Sequence, residues 1–261
     1  MSADAVGTVR WSDVDGVRTI EISNPARRNA MDDGVRVVLR RALLQAMKDP
    51  ACRVLILTGE GDTFCSGGDL ASMPTTDLDA RHRRLCEVRD VVMTILTGPK
   101  PVLAAVEGFA FGSGLGLVAA CDFVVASREA TFAASFRRVG LAPDAAVAWT
   151  LPRRIGSSRA LEMVLFAESL AATRAAEIGL VNELVEPGAS AARAFDRALE
   201  LASAAPLALA ASKDLINRSS NDLMVFSEVE LRVQTALLGS ADFSEGREAF
   251  FARRQPEFHG R

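Results

Sequence analysis

The chain has 261 residues, of which 49% are hydrophobic and 24% charged, and its 30 basic and 33 acidic residues give a net charge of −3. This composition supports a folded protein with a sizeable core and excludes a wholly disordered chain. The near balance of charge gives no electrostatic reason to expect nucleic acid or an anionic membrane as a partner.

The cysteines and histidines argue against a structural zinc site. The four cysteines show no CxxC spacing and only two histidines are present, so the usual ligand pattern is missing. No basic start followed by an apolar block opens the chain, and the apolar stretch from Gly108 to Cys121 is shorter than the ~20 residues of a membrane span. We therefore expect a cytoplasmic protein with reduced thiols.

The first part of the chain predicts two strands, a helix and a third strand. Alternation within Gly7–Ile22 predicts two short strands around a turn at Asp15 and Gly16. Asp32 or Asp33 is expected to cap a helix, and Arg53–Thr58 reads as a buried strand. The apolar face of that helix is expected to consist of Val35, Val38, Leu39, Ala42, Leu43 and Met47.

The next part repeats the order of strand, glycine-rich turn and helix. A helix is predicted over Leu78–Thr97, ended by Pro99, and a buried strand over Pro101–Val106. A second glycine-rich turn then opens another helix, and FVVAS forms a strand. The predicted apolar face of the first of these helices comprises Leu85, Val88, Val92 and Leu96. The repeat indicates ββα-like units and not a single dinucleotide-binding unit.

From Ser157 onward the pattern is mainly helical, with a brief strand at VNELV. We divide the chain into a core that carries the site, residues 1–200, and a helical region, residues 201–261. The last helices share an apolar face that must pack on the core or on a neighbouring subunit. The residues of that face are Val225, Val229, Val233, Ala236 and Leu237.

Two glycine-rich turns, CSGGDL and FGSGLGL, are the strongest functional signal. Each places small residues where a strand is expected to lead into a helix, so free N–H groups and the helix dipole would point outward. Two such turns facing each other would hold an oxygen that becomes negative during a reaction. The alternative is that both turns serve helix packing alone. Gly112, Gly114 and Gly116 do not have the spacing of the dinucleotide fingerprint.

Three sequence blocks carry a resemblance to a known superfamily. LTGEGDTFCSGGDL, AAVEGFAFGSGLGLVAACDFVVAS and FRRVGLAPD resemble the crotonase (enoyl-CoA hydratase/isomerase) superfamily, and the likeness extends over nearly the whole chain. It implies an α/β fold, a crotonase-like spiral of ββα units followed by a helical trimerisation region. It also implies an acyl-CoA thioester as substrate, a homotrimer or dimer of trimers, and no metal or cofactor apart from the CoA of the substrate.

The resemblance also assigns roles to residues of the two turns. It implies that Ser66 and Ser113 supply the two oxyanion N–H groups, which a serine retains as well as a glycine does. The residues implied to bind substrate or CoA are Arg28, Ala30, Ser66, Gly67, Gly68, Asp69, Leu70, Gly112, Ser113 and Phe136.

The hydratase pair of the superfamily is absent. Hydratases use two glutamates, and the matching positions are Gly116 and Phe136, neither of which can transfer a proton. We therefore expect no efficient hydration, and we expect that glutamates at both positions would create some.

A different carboxylate is present at Asp144, directly after GLAP. This pattern resembles the enoyl-CoA isomerases and the ring-1,2-epoxyphenylacetyl-CoA isomerase, whose catalytic acid stands there. Apolar neighbours are expected to raise its pKa. The alternative is that Asp144 only caps a helix beginning at Ala145. The sequence thus indicates an enoyl-CoA isomerase, with a divergent hydratase or a catalytically inactive acyl-CoA-binding protein as alternatives.

Overall fold

One six-stranded sheet forms the centre of the molecule, in the strand order β1-β2-β3-β4-β6-β9. The computed structural model describes residues 7–73, 76–218 and 223–261. Strands β1 and β2 form an antiparallel hairpin, and every later neighbour in this sheet is parallel. The strands of this sheet are β1 (Thr8–Val14), β2 (Val17–Ser23), β3 (Val54–Gly59), β4 (Val102–Val106), β6 (Phe123–Ser127) and β9 (Glu183–Val185).

A small second sheet positions one of the glycine-rich turns. It contains β5 (Phe109–Phe111), β7 (Thr131–Ala133) and β8 (Leu170–Ala171) in the order β5-β7-β8. An isolated parallel bridge joins Cys65 to Ala110 in β5. The first turn therefore lies along the same strand that leads into the second turn.

Helices cover both faces of the large sheet. Alternate residues of β3 enter two different clusters, because Leu55 and Leu57 pack into the larger core and Val54 and Ile56 into a smaller one. The described helices are α1 (Asp33–Lys48), α2 (Leu78–Thr97), α3 (Ser113–Ala120), α4 (Val147–Ile155), α5 (Ser157–Phe166), α6 (Ala172–Glu177), α7 (Ser190–Ala202), α8 (Pro206–Asn217), α9 (Leu223–Leu238) and α10 (Ala241–Ala252).

Helix α7 covers the smaller cluster with alanines. Ala194, Ala198 and Ala202 lie one helical turn apart and are buried against the sheet. The small side chains let the helix approach the strands closely. The boundary between residues 1–200 and 201–261 stays a prediction.

The buried face of α2 is rotated slightly about the helix axis relative to the predicted apolar face, so that prediction is partly wrong. Leu85 is 51% exposed, whereas Arg84 is buried together with Val88 and Val92. The buried face of this helix therefore begins with a charged residue. Periodicity assigns the neighbouring leucine to that face because hydrophobicity alone cannot recognise a buried arginine.

The C-terminal helices leave much apolar surface exposed. Val225 on α9 is 59% exposed, and Phe250 and Phe251 on α10 are 78% and 73% exposed. Of the predicted tail face, Val225 and Ala236 are exposed, and Val229, Val233 and Leu237 are half-buried within the same chain. No helix in the described part of the chain is long and apolar enough to cross a bilayer.

Candidate active site

The first turn is fixed by the loop that precedes α1. The Met31 N–H donates to the Gly67 carbonyl at 2.8 Å, and the Asp69 N–H donates to the Met31 carbonyl at 3.2 Å. These two bonds define a parallel bridge between Met31 and Gly68. In such a bridge the N–H of the central residue points to the opposite side. Within the described residues, the Gly68 N–H donates to no backbone or side-chain acceptor.

Ser66 cannot be the first oxyanion donor in this geometry. Its N–H donates to the Arg28 carbonyl at 3.1 Å, and its Oγ donates to the Arg27 carbonyl at 3.2 Å. An N–H group that is already bonded within the chain is not free for a thioester oxygen. The Ser66 prediction is therefore wrong, and the N–H of this turn that is available for such a role is that of Gly68.

The second turn has a different construction. Gly112 adopts a positive φ of 53° and precedes α3, whose first residue is Ser113. The Gly112 N–H donates to the Ala133 carbonyl at 2.9 Å, which ties the turn to β7. The Ser113 N–H belongs to the first turn of the helix, where N–H groups have no intrahelical acceptor. The positive end of the α3 dipole adds to its potential.

Glycines bring the two turns into contact. A methyl group built on Gly67 would lie 3.5 Å from the Ser113 nitrogen and 2.8 Å from the Phe111 carbonyl oxygen. A methyl group on Gly114 would lie 2.3 Å from the Cys65 carbonyl oxygen. Side chains at either position would push the turns apart. The free N–H groups of Gly68 and Ser113 thus belong to one continuous site.

Asp144 joins this site through the side chain of Ser113. The Ser113 Oγ donates to Asp144 Oδ1 at 2.9 Å. Helix α4 begins at Val147 with Ala146 as its N-cap and no side-chain capping bond. The alternative that Asp144 only caps a helix beginning at Ala145 is therefore wrong. The carboxylate is held by Ser113, whose N–H is the predicted second oxyanion donor.

The protonation of Asp144 reflects its partial burial. Burial raises the pKa of this carboxyl above its ordinary value, as expected from the sequence. The hydrogen bond from Ser113 and the positive charge of Arg84 act in the opposite direction. A carboxylate with a raised pKa is a stronger base, and its acid form is more easily kept near neutral pH.

Two strained alanines follow the carboxylate. Ala145 and Ala146 have φ angles of 49° and 56°, in the left-handed region that disfavours side chains. Two consecutive residues of this kind require support from the surrounding fold. Ala145 is buried and packs in the larger core, which provides that support. These two residues directly follow Asp144, whose carboxylate accepts from Ser113.

Gly116 is a packing contact and not an open place for a glutamate. A methyl group on Gly116 would lie 2.5 Å from Ala145 Cβ and 2.7 Å from the Ala145 carbonyl oxygen. The absence of a side chain therefore lets the Asp144 segment approach α3. Phe136 is 7% exposed and also packs in the core. The expectation that glutamates at these two positions would create hydration is wrong for Gly116, because no room exists for that side chain.

The remaining predicted binding residues surround the first turn. The Asp69 carboxylate pairs with Arg27 at 2.6 Å and caps a short turn by accepting from the Ala71 N–H at 3.2 Å, so its side chain is structural. Leu70 is 58% exposed and Ala30 is buried. The exposed Arg28 guanidinium lies over the Phe109 ring at 5.6 Å. Contacts of these residues with CoA stay predictions.

Sequence reasoning missed two groups of this site. The Ser113 hydroxyl was given no role, although it holds Asp144. The sequence predicts no role for Arg84, although a methyl group on Gly68 would lie 2.8 Å from its Nη2. A signal for Arg84 exists in the sequence, because it stands four residues before Val88 on the buried face of α2.

Comparison with known proteins shows the family to which this chain belongs. The profile of the enoyl-CoA hydratase/isomerase family matches residues 13–261. The chain belongs to the enoyl-CoA hydratase/isomerase family. A "Probable enoyl-CoA hydratase" of Rhodobacter capsulatus is 38% identical, over 97% of this chain and 98% of that protein. The 1,2-epoxyphenylacetyl-CoA isomerase of Escherichia coli is 35% identical, over 94% of this chain and 96% of its own length.

Solved structures show the same fold. The crystal structure of an enoyl-CoA hydratase from a Polaromonas species superposes with a TM-score of 0.89 at 35% sequence identity. The match covers 97% of this chain and 100% of that chain. The predicted crotonase-like α/β fold is thereby confirmed. Family membership supports an acyl-CoA thioester as the substrate of this enzyme, while relatives include both hydratases and isomerases.

Proposed function

We propose that this family member is an enoyl-CoA double-bond isomerase in which Asp144 carries the proton. The observation that carries the proposal is the bond between the Asp144 carboxylate and the Ser113 hydroxyl, which holds the carboxylate beside an oxyanion donor. Both positions that match the hydratase glutamates hold residues without an exchangeable proton, Gly116 and Phe136. One carboxylate is sufficient for a 1,3-proton shift.

The proposed reaction moves one proton and one double bond. The Asp144 carboxylate removes a proton from C2 of a 3-enoyl-CoA, and the electron pair passes to the thioester oxygen to form a dienolate. The N–H groups of Gly68 and Ser113 donate to that oxygen as its charge develops. The protonated Asp144 then returns the proton to C4, which leaves the double bond between C2 and C3. The atoms and electrons balance with no oxidant, reductant, metal or organic cofactor.

The oxyanion donors require no side-chain chemistry. A backbone N–H carries out this role in any residue type, and preorganised donors of this kind are worth about 10²–10³ in rate. Asp144 complements them because its raised pKa suits a group that must both accept and return a proton. The electrostatics of the chain itself therefore supply what the proposed reaction needs.

A divergent hydratase is the second candidate, supported by the similarity to the Rhodobacter protein. Asp144 would then activate a water molecule for addition at C3. A third candidate is an acyl-CoA-binding protein without activity. The direct test compares two substrates with the wild-type enzyme, 3-hexenoyl-CoA for isomerisation and crotonyl-CoA for hydration.

The outcomes separate the three candidates. Isomerisation that greatly exceeds hydration is expected. Hydration at a comparable or higher rate would favour the hydratase and contradict the proposal. Tight binding of both thioesters without turnover of either would leave only the binding protein.

We also propose that the enzyme assembles as a trimer or a dimer of trimers. The exposed apolar side chains of α9 and α10, such as Val225, Phe250 and Phe251, support this, because exposed apolar surface is costly to leave in water. The mass of the purified protein in solution, measured by light scattering, tests the assembly. A well-behaved monomer would contradict it.

A further inference from the structure

Arg84 is a buried cation at the edge of the candidate active site. It lies near the start of α2 and is only 8% exposed. A methyl group on Gly68 would approach its Nη2 to 2.8 Å and the Met73 Cε to 3.0 Å. The guanidinium therefore occupies the space next to the residue that supplies the first oxyanion donor.

Among the residues that the structure describes, Arg84 has two polar partners, and both are distant. Its Nη1 lies 3.4 Å from the Ser72 Oγ and 3.6 Å from Asp33 Oδ1. Asp33 is highly exposed, and the same oxygen also pairs with Arg36 at 2.5 Å. Among the described residues, Nε and Nη2 of Arg84 donate to no acceptor. A guanidinium has five N–H donors, so most of its hydrogen-bonding capacity is unused within the described residues.

The nearby Arg36 shows what a structural buried arginine looks like in this protein. It is 2% exposed and donates to Glu87 Oε2 at 3.2 Å, to the Met31 carbonyl at 3.2 Å and to Asp33 at 2.5 Å. All three of its nitrogens therefore have an acceptor. A buried charge without such partners is costly, and the cost indicates a function that requires it.

Arg84 and Asp144 share one electrostatic environment. The positive charge of Arg84 lowers the pKa of the Asp144 carboxyl, and Asp144 in turn acts to raise the pKa of Arg84. Gly68 also borders the guanidinium. An acyl group held by the two oxyanion donors and presented to Asp144 would therefore pass close to Arg84.

We infer that Arg84 binds an anionic oxygen on the acyl group, so that the preferred substrate is the CoA thioester of a dicarboxylic acid. The planar guanidinium matches a carboxylate in a bidentate, charge-assisted pair. An unsubstituted fatty acyl chain would leave these donors unpaired, which is the kind of mismatch that a polar site rejects most strongly. This inference rests on the proposed function in one respect, the location of the acyl group.

The test compares binding of two saturated thioesters of equal chain length, adipyl-CoA and hexanoyl-CoA, by calorimetry. Neither can be isomerised, so the result does not depend on turnover. We expect the wild-type enzyme to bind adipyl-CoA at least about tenfold more tightly. Arg84→Met should remove this preference by weakening adipyl-CoA alone, and Arg84→Lys should keep part of it. Arg81→Met, an exposed position on the same helix, is the matched control and should keep the full preference.

Two results would overturn the inference. One is wild-type enzyme that binds hexanoyl-CoA as tightly as adipyl-CoA, a comparison that remains decisive even if Arg84→Met fails to fold. The other is an Arg84→Met enzyme that loses affinity for both ligands equally, which would assign Arg84 a structural role. Preference for adipyl-CoA without isomerisation of any 3-enoyl-CoA would contradict the proposed function only. Isomerisation by an enzyme without that preference would contradict the inference only.

Discussion

The two glycine-rich turns look alike in sequence but present their N–H groups in different ways. In the first turn, the bridge to Met31 is made by the Gly67 carbonyl and the Asp69 N–H. The N–H of Gly68, which lies between them, therefore points away from Met31. In the second turn, the free N–H is that of Ser113, at the beginning of α3. One donor is thus produced by a strand-like pairing and the other by a helix terminus. Glycine content alone does not distinguish these two constructions.

The turns also differ in what surrounds their glycines. Gly67 and Gly114 face backbone atoms of the opposite turn, whereas Gly68 faces the flexible ends of Arg84 and Met73. Backbone atoms cannot move aside without disturbing the pairing of both turns, while the end of a long side chain can. Adjacent glycines in one turn should therefore respond very differently to a methyl group.

The largest expected effect tests this difference between Gly67 and Gly68. Gly67→Ala would force a side chain into a φ of 104° and to 2.8 Å from the Phe111 carbonyl oxygen. We expect the free energy of unfolding to fall by about 2–4 kcal/mol. Gly68→Ala is the matched control and should cost about 1 kcal/mol or less, because only side-chain ends must shift. Urea unfolding measures both, and equal losses for the two variants would contradict the comparison.

The second expected effect concerns the Ser113 hydroxyl in the second turn, which bonds to Asp144. Ser113→Ala keeps the N–H but removes the hydroxyl that donates to Asp144. Since that bond lowers the pKa of Asp144, its loss raises the pKa further above the ordinary value. The base must be ionised to remove the C2 proton, so activity is lost as pH falls through this pKa. Raising the pKa moves that loss to higher pH.

The measurement is the pH dependence of kcat/KM for Ser113→Ala. We expect the acidic limb at higher pH than in the wild type, with a rate about tenfold lower on that limb. Ser135→Ala is a suitable control, because Ser135 lies beside Gly112 and no hydrogen bond joins its hydroxyl to Asp144 in the described part of the chain. An unchanged limb in Ser113→Ala would show that the hydroxyl does not act on the base.

The smallest expected effect concerns the strained segment that carries Asp144 to the second turn. Ala146→Gly relieves a left-handed φ of 56°. We expect the free energy of unfolding to rise by about 0.5 kcal/mol, since the relief slightly exceeds the entropic cost of glycine. Ala148→Gly, in the exposed part of α4, should instead destabilise by about 1 kcal/mol. Thermal unfolding of both variants shows whether each one gains or loses stability. Destabilisation by Ala146→Gly would argue against strain at this residue.

Local patterns predicted the elements well. The turn at Asp15 and Gly16 and the bounds Leu78–Thr97 agree with the structure because caps, prolines and hydrophobic periodicity act over a few residues. The second sheet was not predicted. Its strands span only two or three residues, too few for alternation to be recognised.

The site was predicted less completely because it depends on distant pairing. Whether an N–H in CSGGDL is free depends on Arg28 and Met31, which lie in another part of the chain, so the motif alone does not distinguish Ser66 from Gly68. The resemblance located Asp144, but only the fold shows that Gly116 makes room for its segment. Arg84 was missed because a charged residue on a helix is ordinarily assigned to solvent.

The most direct test of the central claim is the rate at which wild-type enzyme and Asp144→Asn convert 3-hexenoyl-CoA to 2-hexenoyl-CoA. Asparagine has nearly the shape of aspartate and can still accept the bond from the Ser113 hydroxyl, so fold and thioester affinity should be retained. We predict a loss of about 10²–10⁴ in turnover, the usual contribution of a general acid–base group. Near-normal turnover by a folded Asp144→Asn enzyme would contradict the role of Asp144 as the proton carrier.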